Sequence, residues 1–121
     1  TILVIDDEEA VMTVCRTMLE RMGYRVLEAR SGQEAIDVVK TFDDDIDLAM
    51  LDILLPGMSG ETIYPLLMKA RPDLKVLIFS GYSIKGPVQK ILDAGAQDFI
   101  PKPFAMADLS QKLNKILGGK Q

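Results

Sequence analysis

Five side chains have both the chemistry and the placement to form one reactive site: Asp6, Asp7, Asp52, Ser80 and Lys102. Asp6 and Asp7 follow the apolar run Ile2–Ile5, Asp52 follows Leu48–Leu51, Ser80 closes Val76–Phe79, and Lys102 comes just after Phe99-Ile100. Three carboxylates brought together repel one another by about 4 kcal/mol per close pair at an effective dielectric of about 20. A bound cation relieves that repulsion. An all-oxygen donor set without His or Cys selects a hard ion, and a site of few carboxylates with room for water and phosphate suits Mg²⁺ better than a Ca²⁺ cage. The Lys102 ammonium and the Ser80 hydroxyl then serve as donors to phosphoryl oxygens. The implied chemistry is phosphoryl transfer to a carboxylate, with Asp52 as the nucleophile.

Taken singly, most of these residues have ordinary explanations. An acidic pair after a strand usually caps the next helix, a strand-end serine is usually structural, and a lysine is usually a solvated surface charge. Asp52 is different. It stands between Met50-Leu51 and Ile53-Leu54-Leu55, where a charge with only a structural role would be costly to bury. The joint placement of all five at successive strand ends carries the functional reading. The chain has no histidine, which excludes Ser-His-Asp and Cys-His triads, His-containing zinc sites and a phosphohistidine-carrying role. The acidic stretch Asp43-Asp44-Asp45 with Asp47 reads as a solvated loop, and the seven methionines read mostly as core filling.

The scaffold that must position the site is written as strand-sized runs alternating with helical patterns. The runs are Ile2–Ile5, Arg25–Ala29, Leu48–Leu51, Val76–Phe79 and Phe99–Ile100, and the first, third and fourth are continuous, as in strands buried on both faces of a parallel sheet. Between them, Val11, Val14, Cys15, Met18, Leu19 and Met22 lie at helical spacing before a stop at Gly23. Ser31 and Glu34 form a capping-box pattern ahead of Ala35, Ile36 and Val39. A third helix is expected from Ser59-Gly60 to before Arg71-Pro72, with Pro65 acceptable only in its first turn. A fourth covers Pro87–Asp93 and stops at Gly95, and a fifth runs from Ala107 to Leu117. The expectation is an α/β doubly wound parallel sheet of five strands with five flanking helices, forming a single domain over residues 1–121.

Composition narrows the setting. The chain has 121 residues, 48% of them apolar and 26% charged, enough for a real core without staples. A net charge of −4 argues against direct nucleic-acid binding, and the one cysteine permits no internal disulfide. No apolar run approaches the roughly 20 residues of a membrane span, so no membrane insertion is expected. The chain opens on Thr1-Ile2-Leu3 with no basic segment ahead, so no signal peptide is expected and a cytoplasmic location is.

Three motifs together resemble the receiver domains of two-component response regulators, over essentially the whole chain. Ile2-Leu3-Val4-Ile5-Asp6-Asp7-Glu8 is similar to the family's acidic pocket, Leu51–Gly60 to its phosphoacceptor loop, and Ile100-Pro101-Lys102-Pro103-Phe104 to its lysine motif. The resemblance implies a flavodoxin-like sheet of order 2-1-3-4-5. It implies that Asp52 accepts a phosphoryl group from the phosphohistidine of a sensor kinase or phosphotransfer protein. Mg²⁺ would be held by Asp7, Asp52 and the main-chain carbonyl of Leu54, with Asp6 acting through water. Ser80 and Lys102 would contact the phosphoryl oxygens, and Phe99 would take the place of the aromatic switch residue; the Lys102-Pro103 bond is commonly cis in this family, which would help to aim the lysine. The expected output face is the fourth helix, fifth strand and fifth helix.

Departures from the commonest pattern remove no chemical group: Leu55-Pro56 stands where Met-Pro is frequent, and Gly81 where Ala is frequent. Phe79-Ser80-Gly81-Tyr82-Ser83 is similar to receivers joined to hybrid histidine kinases, with a freestanding regulator or the front half of a DNA-binding regulator as the alternatives. Leu54 and Tyr82, two residues beyond Asp52 and Ser80, fall where receivers tune self-dephosphorylation. Neither is suited to holding an attacking water, so a long-lived phosphoryl group is expected.

Two other classes compete. A Mg²⁺-dependent phosphatase or phosphotransferase of the haloacid dehalogenase type also forms an aspartyl phosphate, but needs a second Asp where Leu54 stands. An FMN-binding flavodoxin needs a hydroxyl- and glycine-rich loop after its first strand, and here that loop is acidic.

Overall fold

The computed structural model describes residues 1–53, 55, 57–81 and 86–118. Strands and helices alternate along the chain: β1 (Ile2–Ile5), α1 (Glu9–Arg21), β2 (Val26–Ala29), α2 (Gly32–Thr41), β3 (Leu48–Asp52), α3 (Gly60–Ala70), β4 (Lys75–Ser80), α4 (Pro87–Asp93), β5 (Asp98–Pro101) and α5 (Met106–Ile116). The strands form one parallel sheet in the order β2-β1-β3-β4-β5, so the direction of winding reverses between β1 and β3.

The period-2 alternation of strand side chains divides the core in two. Ile2, Val4, Leu48, Met50, Leu77, Phe79 and Ile100 face α1 and α5, where they meet Met12, Cys15, Leu19, Leu109 and Leu113. Leu3, Ile5, Ala49, Leu51, Val76, Ile78 and Phe99 face α2, α3 and α4. Residues of β1 and β3 are buried on both faces, which explains why their sequences are continuous and apolar.

Local chemistry sets the helix ends. The Ser31 hydroxyl accepts from the Glu34 N–H at 3.1 Å and starts α2. The return half of the expected capping box falls one residue earlier, because Glu34 Oε1 accepts from the Arg30 N–H at 3.0 Å. Gly23, at φ +94°, ends α1 in the left-handed region, where a side chain would be strained. Pro65 departs from expectation, since it lies inside α3 beyond the first turn. Its ring is on the exposed side, where water can satisfy the freed carbonyl of Glu61. Val14, placed in the helical apolar pattern of α1, is 49% exposed. No helix among the described residues is long and apolar enough to cross a membrane.

Candidate phosphoacceptor site

The carboxyl ends of β1, β3 and β4 and the segment after β5 meet at the point where the winding reverses, which is where open α/β sheets bind ligands. Asp6 leaves β1 with its N–H still donating to the Ala29 carbonyl at 3.1 Å, so its backbone is tied to the sheet. Asp52 is the last residue of β3 and stands in register with Phe79 of β4. The next rung pairs Ser80 with Pro101, and the Lys102 N–H donates to the Ser80 carbonyl at 2.8 Å. Four of the five expected residues are thus placed directly by the sheet ladder. Asp7 follows on the β1–α1 turn.

The site brings these residues together as their spacing implied. Oxygens of Asp6, Asp7 and Asp52 lie within 4.8 Å of one another, with Asp6 and Asp52 buried and Asp7 exposed. Lys102 Nζ donates to Asp6 Oδ2 at 2.8 Å and to Asp52 Oδ2 at 3.3 Å, and lies 3.8 Å from Glu8 Oε1. Asp6 also accepts from the Glu8 N–H at 2.8 Å. Partial burial would lower the Lys102 pKa, but the Asp6 hydrogen bond and the charges of Asp52 and Asp6 prevail and hold it above the ordinary lysine value. Ser80, 1% exposed, sits at the same strand end. The Lys102-Pro103 bond is cis. Leu54 and Tyr82 lie outside the described residues.

The donor set fits Mg²⁺. Three carboxylates face one ammonium, leaving an excess of negative charge, and every candidate ligand atom is a hard oxygen with one side of the cluster open to solvent.

Two contributors were not singled out from the sequence. Phe79 lies beneath the Lys102 ammonium, 4.9 Å from Nζ to the ring centroid. Its place beside Asp52 in the ladder is the signal that marks it. Arg30, just beyond β2, binds Glu9 through two nitrogens at 2.8 and 3.0 Å and Glu28 at 3.1 Å. The Arg30 hydrogen bond pulls the Glu9 carboxyl below its usual range.

The sequence model of the response regulator receiver domain matches residues 2–114. The chain belongs to that family. As a receiver domain of two-component signalling it has relatives in two settings. It is 32% identical over 117 residues to the sensor kinase CckA of Brucella abortus, covering 97% of this chain and 12% of that protein. A solved receiver domain protein from Clostridium thermocellum superposes with a TM-score of 0.89 at 30% identity, covering 97% of this chain and 93% of the other. The receiver domain of a sensor histidine kinase from Pseudomonas aeruginosa, solved with a magnesium ion coordinated in its active-site cleft, gives a TM-score of 0.85 at 25% identity, covering 97% of this chain and 96% of that one. The chain spans half the length or less of curated relatives it matches. The family match and the sheet order 2-1-3-4-5 do not favour the haloacid dehalogenase alternative.

Proposed function

We propose that this receiver domain accepts a phosphoryl group on Asp52 from the phosphohistidine of a sensor kinase or phosphotransfer protein, in a Mg²⁺-dependent reaction. The observation that carries the reading is the buried Asp52 carboxylate held within 3.3 Å of the Lys102 ammonium and clustered with Asp6 and Asp7. An Asp52 oxygen attacks phosphorus, the O–P bond forms as the N–P bond breaks, and the electron pair stays on the imidazole nitrogen, which takes up a proton. Lys102 and Ser80 donate to the phosphoryl oxygens and stabilise the charge they carry. Asp6, Asp7 and Asp52, with the Leu54 carbonyl, are the groups that would hold Mg²⁺, which when bound neutralises charge on carboxylate and phosphoryl oxygens. The domain would act as a switch and not as a turnover enzyme, catalysing only its own phosphorylation and slow dephosphorylation.

The switch would run through Ser80 and Phe99. Phe99 is 9% exposed and belongs to the core cluster that includes Val88 and Ile91 of α4. A phenylalanine has no hydroxyl to satisfy when buried, which supports an inward position populated before phosphorylation, with Ser80 drawn to the phosphoryl group as the bias. The output surface would be the α4–β5–α5 face. The domain is proposed to work in the cytoplasm as a module of a hybrid histidine kinase.

Acetyl phosphate or beryllofluoride with Mg²⁺ should modify the natural chain and leave Asp52→Asn unmodified, as read by intact mass. Equal labelling of the variant would move the acceptor elsewhere.

A further inference from the structure

Two side chains of the segment that leaves β5 engage a single ring. The Lys102 ammonium lies over Phe79, 4.9 Å from its centroid, and Phe104 meets the same ring edge-on, with centroids 6.3 Å apart and planes at 72°. Phe79 itself is fully buried, and the β3–β4 ladder fixes it beside Asp52. The ring is therefore a fixed post between the phosphoacceptor strand and the lysine segment.

A lysine side chain is a flexible stem ending in a point charge, and attraction to carboxylates alone leaves its direction loosely set. Asp6 and Asp52 draw the ammonium by charge, at 2.8 and 3.3 Å. An aromatic face adds a directional contact, because its quadrupole attracts a cation above the ring and does so more strongly where water is excluded. The Lys102 side chain is 17% exposed, so the contact is largely dry. A leucine at position 79 would fill the core but offer no such face.

We infer that Phe79 is a positioning residue for Lys102, seating the ammonium beside Asp52 so that an incoming phosphoryl group meets a donor already in place. The inference rests on the reading of Asp52 as phosphoacceptor. It assigns Phe79 no contact with the phosphoryl group.

The test replaces Phe79 in the 121-residue chain with phenylalanines of increasing ring-fluorine count, which keep the shape and drain the quadrupole. Three quantities are read: the ring-current shift of the Lys102 ε-methylene protons without any phosphodonor, the rate of labelling by acetyl phosphate at saturating Mg²⁺, and the Mg²⁺ dissociation constant. The ε-methylene signals should lie upfield in the natural chain and relax stepwise with fluorination. The labelling rate should fall by about fivefold at the highest substitution, while Mg²⁺ affinity holds within about twofold. Phe79→Leu should move the first two in the same direction, and the fluorinated series decides the matter if that variant folds poorly. Fluorination that leaves both the shift and the rate unchanged overturns the inference, as does a rate loss that only follows lost Mg²⁺ affinity. A natural chain that takes no label on Asp52 overturns the phosphoacceptor reading instead, and the donor-free shift then decides whether the ring seats the lysine.

Discussion

The Gly60 N–H donates to the Ile53 carbonyl at 2.8 Å, so the loop that follows Asp52 closes back on the residue next to it. A Cβ on Gly60 would lie 3.0 Å from Ile53 Cα and 3.3 Å from Ile91 Cδ1. The first neighbour is backbone and cannot turn aside. Gly60→Ala should therefore destabilise by about 2 kcal/mol, although alanine in place of glycine favours an open helix by about 1 kcal/mol. Urea titration gives the answer, and a midpoint equal to or above that of the natural chain would rule out the crowding.

Asp98 gives a pH-dependent expectation. Partial burial would raise its carboxyl, but the Phe99 N–H at 2.8 Å and the Lys112 ammonium at 3.0 Å outweigh burial and hold it below the usual aspartate range. A lowered folded-state pKa contributes stability that is present above the unfolded value, about 3.9, and is lost as pH falls through the folded value. The natural chain should thus exceed Asp98→Asn in stability at pH 7, and the gap should close as the pH falls below about 4. Paired urea titrations at the two pH values measure it, and a gap independent of pH would refute the assignment.

The sheet was legible because its central strands β1 and β3 are buried on both faces, so that Ile2–Ile5 and Leu48–Leu51 could be little else beside helices with apolar stripes. The acidic cluster was legible for a related reason: a charge such as Asp52 inside an apolar run is too costly to place without a purpose. What composition and spacing alone did not give was the strand order, which came from the family resemblance. They also did not mark Phe79, since an aromatic in a buried strand looks like any core residue until the register sets it beside Asp52. Pro65 breaks the local rule that confines a helical proline to the first turn. Its exposed position lets solvent replace the missing backbone bond.

Leu54 and Tyr82 lead to an expectation about lifetime. Hydrolysis of an aspartyl phosphate needs a water aligned with the breaking bond, and Leu54 offers no group to hold one, while the Tyr82 ring is bulky. Leu54→Asn supplies a carboxamide that can donate to and accept from that water, and Tyr82→Glu supplies a carboxylate. Both variants should lose the phosphoryl group about tenfold faster than the natural chain in excess Mg²⁺. If neither decays faster, water positioning at these residues does not set the lifetime.

Lys102 bears on the protein before any phosphoryl group arrives. Its ammonium stands between the carboxylates of Asp6 and Asp52, which are 0% and 4% exposed. Removing one member of a buried charge cluster leaves the others in mutual repulsion, so Lys102→Met should lose about 2–3 kcal/mol of stability in the absence of divalent cation. The same loss should favour the metal, because an ammonium no longer competes for the Asp6 and Asp52 oxygens. Ligands that bind only the folded state stabilise it by mass action, so added Mg²⁺ should raise the melting temperature of the variant more than that of the natural chain. Thermal melts across a Mg²⁺ series read both effects at once. A variant with unchanged metal-free stability and an equal Mg²⁺ response would mean that the lysine does not carry the charge balance of the site, and that the carboxylates are stabilised by other groups.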